Sequence, residues 1–193
     1  MNPWIEEHAD EQLALLKTLE AIPAPSHDEG RRVEFLLNWL AGIGIDNAYA
    51  DEAKNVIVPF AAPDAEGITI YTAHTDVVFP DVTPLPVVQD GDILRAPGVG
   101  DDTANVVGIL MLLRYIKEKK LVPKDPVIFV LNSCEEGLGK RDGARADREC
   151  WLPPHLPVSL TRSRGCTRRP AYPAGSARTA RSFRAASPWQ GMP

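Results

Sequence analysis

The sequence predicts an α/β fold, and three observations carry that prediction. Short apolar runs bounded by Gly, Pro and Asp alternate with longer stretches of helical periodicity. Two of those runs, Ile68-Thr69-Ile70-Tyr71 and Pro126-Val127-Ile128-Phe129-Val130-Leu131, lead straight into polar islands. These islands are Ala73-His74-Thr75-Asp76 and Asn132-Ser133-Cys134-Glu135-Glu136-Gly137, and a third, Gly98-Val99-Gly100-Asp101-Asp102, stands at the mouth of a long helical pattern. In an α/β sheet the carboxyl ends of strands open onto a common crevice, so polar groups collected there imply a site.

The elements follow in order. Asn2-Pro3 is a helix start, a capping side chain ahead of proline at the first helical position. Leu13, Leu16 and Leu19 continue an apolar face to about Ile22, where Pro23 and Pro25 stop it. Ser26-His27-Asp28-Glu29 reads as a capping box for a helix striped by Val33, Leu36, Leu37 and Leu40 and closed by Gly42 and Gly44. Residues 55–61 and 68–73 read as strands on either side of a Pro63 to Gly67 turn. Gln89-Asp90-Gly91-Asp92 marks a hairpin between Val87-Val88 and Ile93-Leu94. Residues 102–118 are helical in pattern, and Val127 to Leu131 is a short buried strand.

A chain of 193 residues, 44% hydrophobic and 24% charged, is long enough for a real core. No apolar run reaches the roughly 18 residues of a membrane span, and the acidic N-terminus lacks a signal-peptide pattern, so a cytoplasmic setting is expected. The three cysteines show neither CxxC spacing nor an even framework, which excludes a disulfide scaffold or zinc ribbon as the organising idea. The net charge of -5 hides a seam after Gly139. Residues 1–139 hold ten Lys and Arg against twenty-three Asp and Glu; residues 140–193 hold eleven against three. That second part has ten Arg, seven Pro and no Ile, and its composition predicts a disordered tail. It also matches GC-rich DNA read out of frame, so a frameshift near codon 140 is the expectation. A basic tail that contacts polyanions is the alternative, but without interleaved aromatics no nucleic-acid partner is expected.

Each island has a bland reading beside a chemical one. His74 and Asp76, two apart at a strand end, can share a face as an imidazole and the carboxylate that supports it as a metal ligand; HxD alone is equally a polar pair at a strand edge. Asp101-Asp102 at a helix start can hold cations, or simply cap the helix. A phosphate cradle there is disfavoured by the two acids and by the missing Lys-Ser/Thr. Glu135-Glu136 can divide metal binding from proton transfer, or be a solvated acidic turn. Cys134 has no basic neighbour in sequence, so packing is its expected role. Order and spacing of the three islands together point to a metal-assisted hydrolase.

In these three motifs, Ala73-His74-Thr75-Asp76, Gly100-Asp101-Asp102-Thr103 and Glu135-Glu136-Gly137-Leu138-Gly139, the chain resembles the dizinc exopeptidases and deacylases typified by peptidase T, carboxypeptidase G and acetylornithine deacetylase. The resemblance covers residues 3–139. It implies a mixed sheet flanked by helices, incomplete here and followed by an unpatterned tail. It implies that His74, Asp101 and Glu136 bind metal, Asp101 as the bridge between two ions. Asp76 would orient His74, and Glu135 would be the general base. Two Zn²⁺ ions, with Mn²⁺ or Co²⁺ as substitutes, would serve hydrolysis of an amide in a short peptide, or alternatively in an N-acyl amino acid.

Two departures bear on that expectation. Thr103 stands where the family commonly has Lys, and each metal's further ligand, an Asp and a C-terminal His, has no clear counterpart. Asp142 and Asp147 lie too close to Glu136, and His155 sits among prolines. The family's smaller domain, through which homodimers form, is also missing. An impaired enzyme or a catalytically inactive remnant is therefore the competing expectation.

Overall fold

The computed structural model describes residues 2–60 and 67–136, and every structural statement below concerns these. The first helix, α1 (Pro3–Glu7), begins as the sequence reads: the Asn2 carboxamide oxygen accepts the Trp4 N–H at 3.1 Å. The apolar pattern to Ile22 is then broken once. His8 leaves the helical region (φ -108, ψ 11), stacks its ring on Trp4 at 4.0 Å and places Nδ1 2.8 Å from the Trp4 carbonyl, so α2 (Ala9–Glu20) starts afresh. Helix α3 (Gly30–Gly42) ends in a Schellman turn. Gly44 takes φ +78, its N–H meets the Ala41 carbonyl at 2.9 Å, and the Ile45 N–H reaches Leu40 at 2.9 Å.

Five of the strands fall where alternation or apolar runs place them or their hairpin. They are β2 (Val56–Phe60), β3 (Thr69–His74), the hairpin strands β4 (Val88–Asp90) and β5 (Ile93–Arg95), and β6 (Val127–Asn132). The exception is β1 (Tyr49–Ala50), two exposed residues without an apolar signature. Gly91, with φ +57, makes the turn between β4 and β5. Helix α4 (Ala104–Glu118) begins two residues later than its pattern suggests, because Val99–Thr103 forms a separate turn with non-helical backbone at Asp101 and Asp102.

The sheet is mixed, in the order β1-β2-β6-β3, with β2 antiparallel and β3 parallel to β6. All six residues of β6 are buried, as a central strand packed on both faces requires. On one face Val56, Val58, Phe129 and Leu131 pack against Leu19 of α2, Leu36 and Leu40 of α3 and Leu110 and Leu113 of α4. On the other, Ile57, Ile128 and Val130 cluster with Ile68 and Ile70, the alternation a strand's period of two dictates. Burying a Leu or Phe of this kind stabilises by about 1.5–3 kcal/mol, so these helices hold the strand ends in fixed register. No described helix is long and apolar enough to cross a membrane.

Candidate metal centre

Register brings two of the islands together. β3 and β6 run parallel with His74 opposite Asn132, so the residues that follow each strand emerge side by side at the carboxyl edge. The third island is drawn in from the α4 side. The Asp102 carboxylate accepts the His74 N–H at 3.0 Å and the side-chain amide of Asn105. The peptide bond between Asp101 and Asp102 is cis. Gly98, with φ +84, lets this turn pass close to β3: a Cβ there would stand 2.5 Å from Cγ1 of Val77.

His74 is buried, and its two ring nitrogens have different partners. Nδ1 lies 3.0 Å from the backbone carbonyl of Asp76 and 3.5 Å from its carboxylate. A carbonyl can only accept, so Nδ1 carries the hydrogen, and Nε2 is the nitrogen turned toward Asp101 Oδ1 at 3.0 Å and Glu135 Oε2 at 4.0 Å. Burial alone would lower the imidazole pKa. The hydrogen bonds to Asp76 and Asp101 and the charge of Asp102 outweigh it and push the pKa up to about 9. The pocket thus draws positive charge toward Nε2.

Asp76 is wholly buried and ties the islands to each other. Its Oδ2 accepts the Ser26 hydroxyl at 2.6 Å and the Glu136 N–H at 2.8 Å, and its Oδ1 accepts the Glu135 N–H at 3.0 Å. Burial would raise its pKa, but the His74 ring, the Ser26 hydroxyl and the two backbone N–H groups hold it down at about 2. The expectation that Asp76 fixes the imidazole shifts in emphasis. Its carbonyl is the closer partner of His74, while its carboxylate sets the loop that carries Glu135 and Glu136.

The five residues singled out from sequence therefore converge. His74, Glu135 and Glu136 each offer a donor atom within 4.8 Å of the others, and Asp101 joins them through His74. An imidazole nitrogen beside carboxylate oxygens is a donor set that divalent cations take, and His74, Glu135 and Glu136 lie close enough together to hold one, with Asp101 next to His74. His74 is buried, but Asp101 is 81% and Glu135 49% exposed at the side chain, so the site faces solvent. Gly137, Leu138, Gly139, Asp142, Asp147 and His155 lie outside the described residues.

Four supporting residues escaped the sequence reading. Ser26 and Glu29 were expected to close a capping box. Instead the Ser26 hydroxyl serves Asp76, and α3 has no side-chain cap at all. Glu29 turns inward, where one carboxylate oxygen accepts the Cys134 N–H at 3.1 Å and the Cys134 thiol at 3.3 Å. Asn55, at the start of β2, accepts the Ser133 N–H at 2.9 Å. Arg32, buried in α3, donates to the carbonyls of Ile22 and Thr75 and to the Thr103 hydroxyl. A charge four residues before Leu36, on the apolar stripe, was its one local signal. Cys134 does have a basic neighbour, His27 Nδ1 at 3.3 Å, yet burial and Glu29 raise its thiol pKa to about 11, which suits packing rather than attack.

The carboxyl edge of this mixed α/β sheet thus gathers an imidazole and carboxylates that could hold a metal ion. Residues 70–158 match the model of Peptidase family M20/M25/M40, which bears out the resemblance read from the motifs and runs past Gly139. The fold is similar to a tripeptidase from Staphylococcus aureus (21% identity, TM-score 0.56, over 70% of this chain and 39% of that one). It is also similar to the aminopeptidase PepT from Bacillus cereus (18%, 0.55, over 66% and 37%) and to human carnosine dipeptidase 1 (15%, 0.62, over 76% and 36%). The chain thus spans less than two-fifths of the length of each of these structures. Comparison with curated proteins finds no match.

Proposed function

We propose that this chain is a metal-dependent hydrolase of peptide bonds, of exopeptidase type, acting on short peptides. The observation that carries the reading is the convergence of His74, Asp101, Glu135 and Glu136 at one sheet edge, with Nε2 of His74 the nitrogen left to bind. His74, Asp101 and Glu136 would hold the metal. Two zinc ions, or manganese or cobalt in their place, would supply Lewis acidity at the scissile carbonyl and acidify water. Glu135, half exposed and within 4.0 Å of His74, takes the proton of the attacking water and passes it to the leaving amine. Asp76 keeps both glutamates in place. The likeness in fold to a tripeptidase and a dipeptidase supports short peptides as substrates. A cytoplasmic setting, and a division into a catalytic part (residues 1–139) and a basic tail (residues 140–193), belong to the same proposal.

The test is hydrolysis of a panel of dipeptides, tripeptides and N-acetyl amino acids by the zinc-loaded full chain, beside Glu135→Gln. Peptide turnover that falls at least ~100-fold in Glu135→Gln, with zinc retained, is the expected result. Cleavage of N-acetyl amino acids alone would reassign the substrate to the deacylase type. A zinc-loaded protein that cleaves nothing would contradict hydrolysis.

A further inference from the structure

The loop from Ser133 to Glu136 has four successive backbone N–H groups, and every one is held by a side-chain oxygen from another part of the chain. Ser133 donates to Asn55 (2.9 Å), Cys134 to Glu29 (3.1 Å), and Glu135 and Glu136 to Asp76 (3.0 and 2.8 Å). Three of these four bonds fall to HxD or to a strand start. The remaining acceptor, Glu29, belongs to neither, and it is a carboxylate with no exposed surface. Its burial is offset by Lys54, whose ammonium lies 3.4 Å from Oε2 and also donates to the His27 carbonyl at 2.6 Å.

What Glu29 holds is a pair of residues in unfavourable backbone. Cys134 has φ +55 and His27 φ +75, left-handed backbone that side chains other than glycine rarely adopt. The same oxygen, Oε1, accepts the N–H of His27 (2.8 Å), the N–H of Cys134 and the Cys134 thiol. The left-handed turn at Cys134 is what swings the chain out of β6 so that Glu135 and Glu136 face His74. With Cys134 relaxed into an extended backbone, the two glutamates after it would lose their aim. Nothing else described holds the Cys134 N–H.

We propose that Glu29 is a positioning residue of the metal centre, one that sets Glu135 and Glu136 through the left-handed turn at Cys134. The inference rests on the assignment of His74, Asp101 and Glu136 as the metal-binding residues. Removal of a residue that orients ligands costs about 10–100-fold in metal affinity, without loss of the fold.

The experiment is zinc titration of the full chain against a competing chelator, with thermal unfolding followed in parallel. Glu29→Ala is expected to bind zinc at least about tenfold more weakly than the parent. Glu29→Gln keeps an acceptor for both N–H groups and should stay within a few-fold. Leu113→Ala, a core change in α4, should lower Tm but leave the affinity of the folded protein unchanged. If Glu29→Ala does not fold, Glu29→Asp takes its place: charge and Lys54 partner stay, but the carboxylate is one methylene short of Cys134, and the same loss is expected. Parent-like affinity in Glu29→Ala, or in Glu29→Asp where that is the variant read, overturns the proposal. So does an affinity that tracks Tm in Leu113→Ala as closely as in the Glu29 variants. A parent chain that binds no zinc overturns the metal assignment and this inference together.

Discussion

Ser26, Glu135 and Glu136 all donate to the Asp76 carboxylate, which has no contact with solvent. Asp76→Ala would leave those donors buried and unpaired, so a loss on the order of 3 kcal/mol is expected in urea unfolding at neutral pH. The pH dependence has a fixed sign. The folded pKa, about 2, lies below the ordinary value of 3.8, so the contribution is fully present above pH 4 and is lost as pH falls toward 2. The shift corresponds to about 2 kcal/mol. Unfolding midpoints of the metal-free protein at pH 7 and pH 2.5 should therefore differ less in Asp76→Asn than in the parent. At this scale the sequence shows the chemistry but not its support. His74, Asp76, Asp101, Glu135 and Glu136 stand in short motifs whose residues are neighbours in the chain. Glu29 and Ser26 serve partners 105 and 50 residues away, a distance no local pattern reports, and their spacing imitates a helix cap.

Helices, the hairpin and the central strand were legible because each depends on periodicity or on one glycine. The start of α4 was not, since Asp101 and Asp102 are acidic residues ahead of a helix and look like caps, whereas their backbone is non-helical and their carboxylates turn to the site and to β3. Gly98 governs that turn. Gly98→Ala must accommodate both a left-handed backbone and a Cβ 2.5 Å from Val77, and should cost more than about 1 kcal/mol. Weaker zinc binding should accompany it, since Asp101 hangs on the same turn. Behind the turn, Glu20 of α2 is buried against Thr103 and near Arg32, with Oε1 lacking a donor among the described residues. Burial raises its pKa despite Thr103 and Arg32, so its ionised form is the costly one and the cost grows as pH rises. Glu20→Gln is thus expected to raise Tm at pH 8 by more than at pH 5. An equal change at both would show that Glu20 is not under strain from its charge.

The described part of the molecule is a scaffold with one busy edge. Four helices and the central strand β6 hold two parallel strand ends in register, and the third island is clamped between them and α4. The fold class and the mixed sheet follow from sequence because they need only alternation and motif order. The charge seam at Gly139 is equally plain in sequence, and everything beyond Glu136 lies outside the described residues. The direct test of a metal centre is the zinc bound per chain in the purified, desalted protein, beside His74→Ala and Asp101→Asn. Stoichiometric zinc in the parent that is lost in both variants is the result expected from the convergence at the sheet edge. Zinc at background level in the parent, or retained in full by both variants, would contradict it.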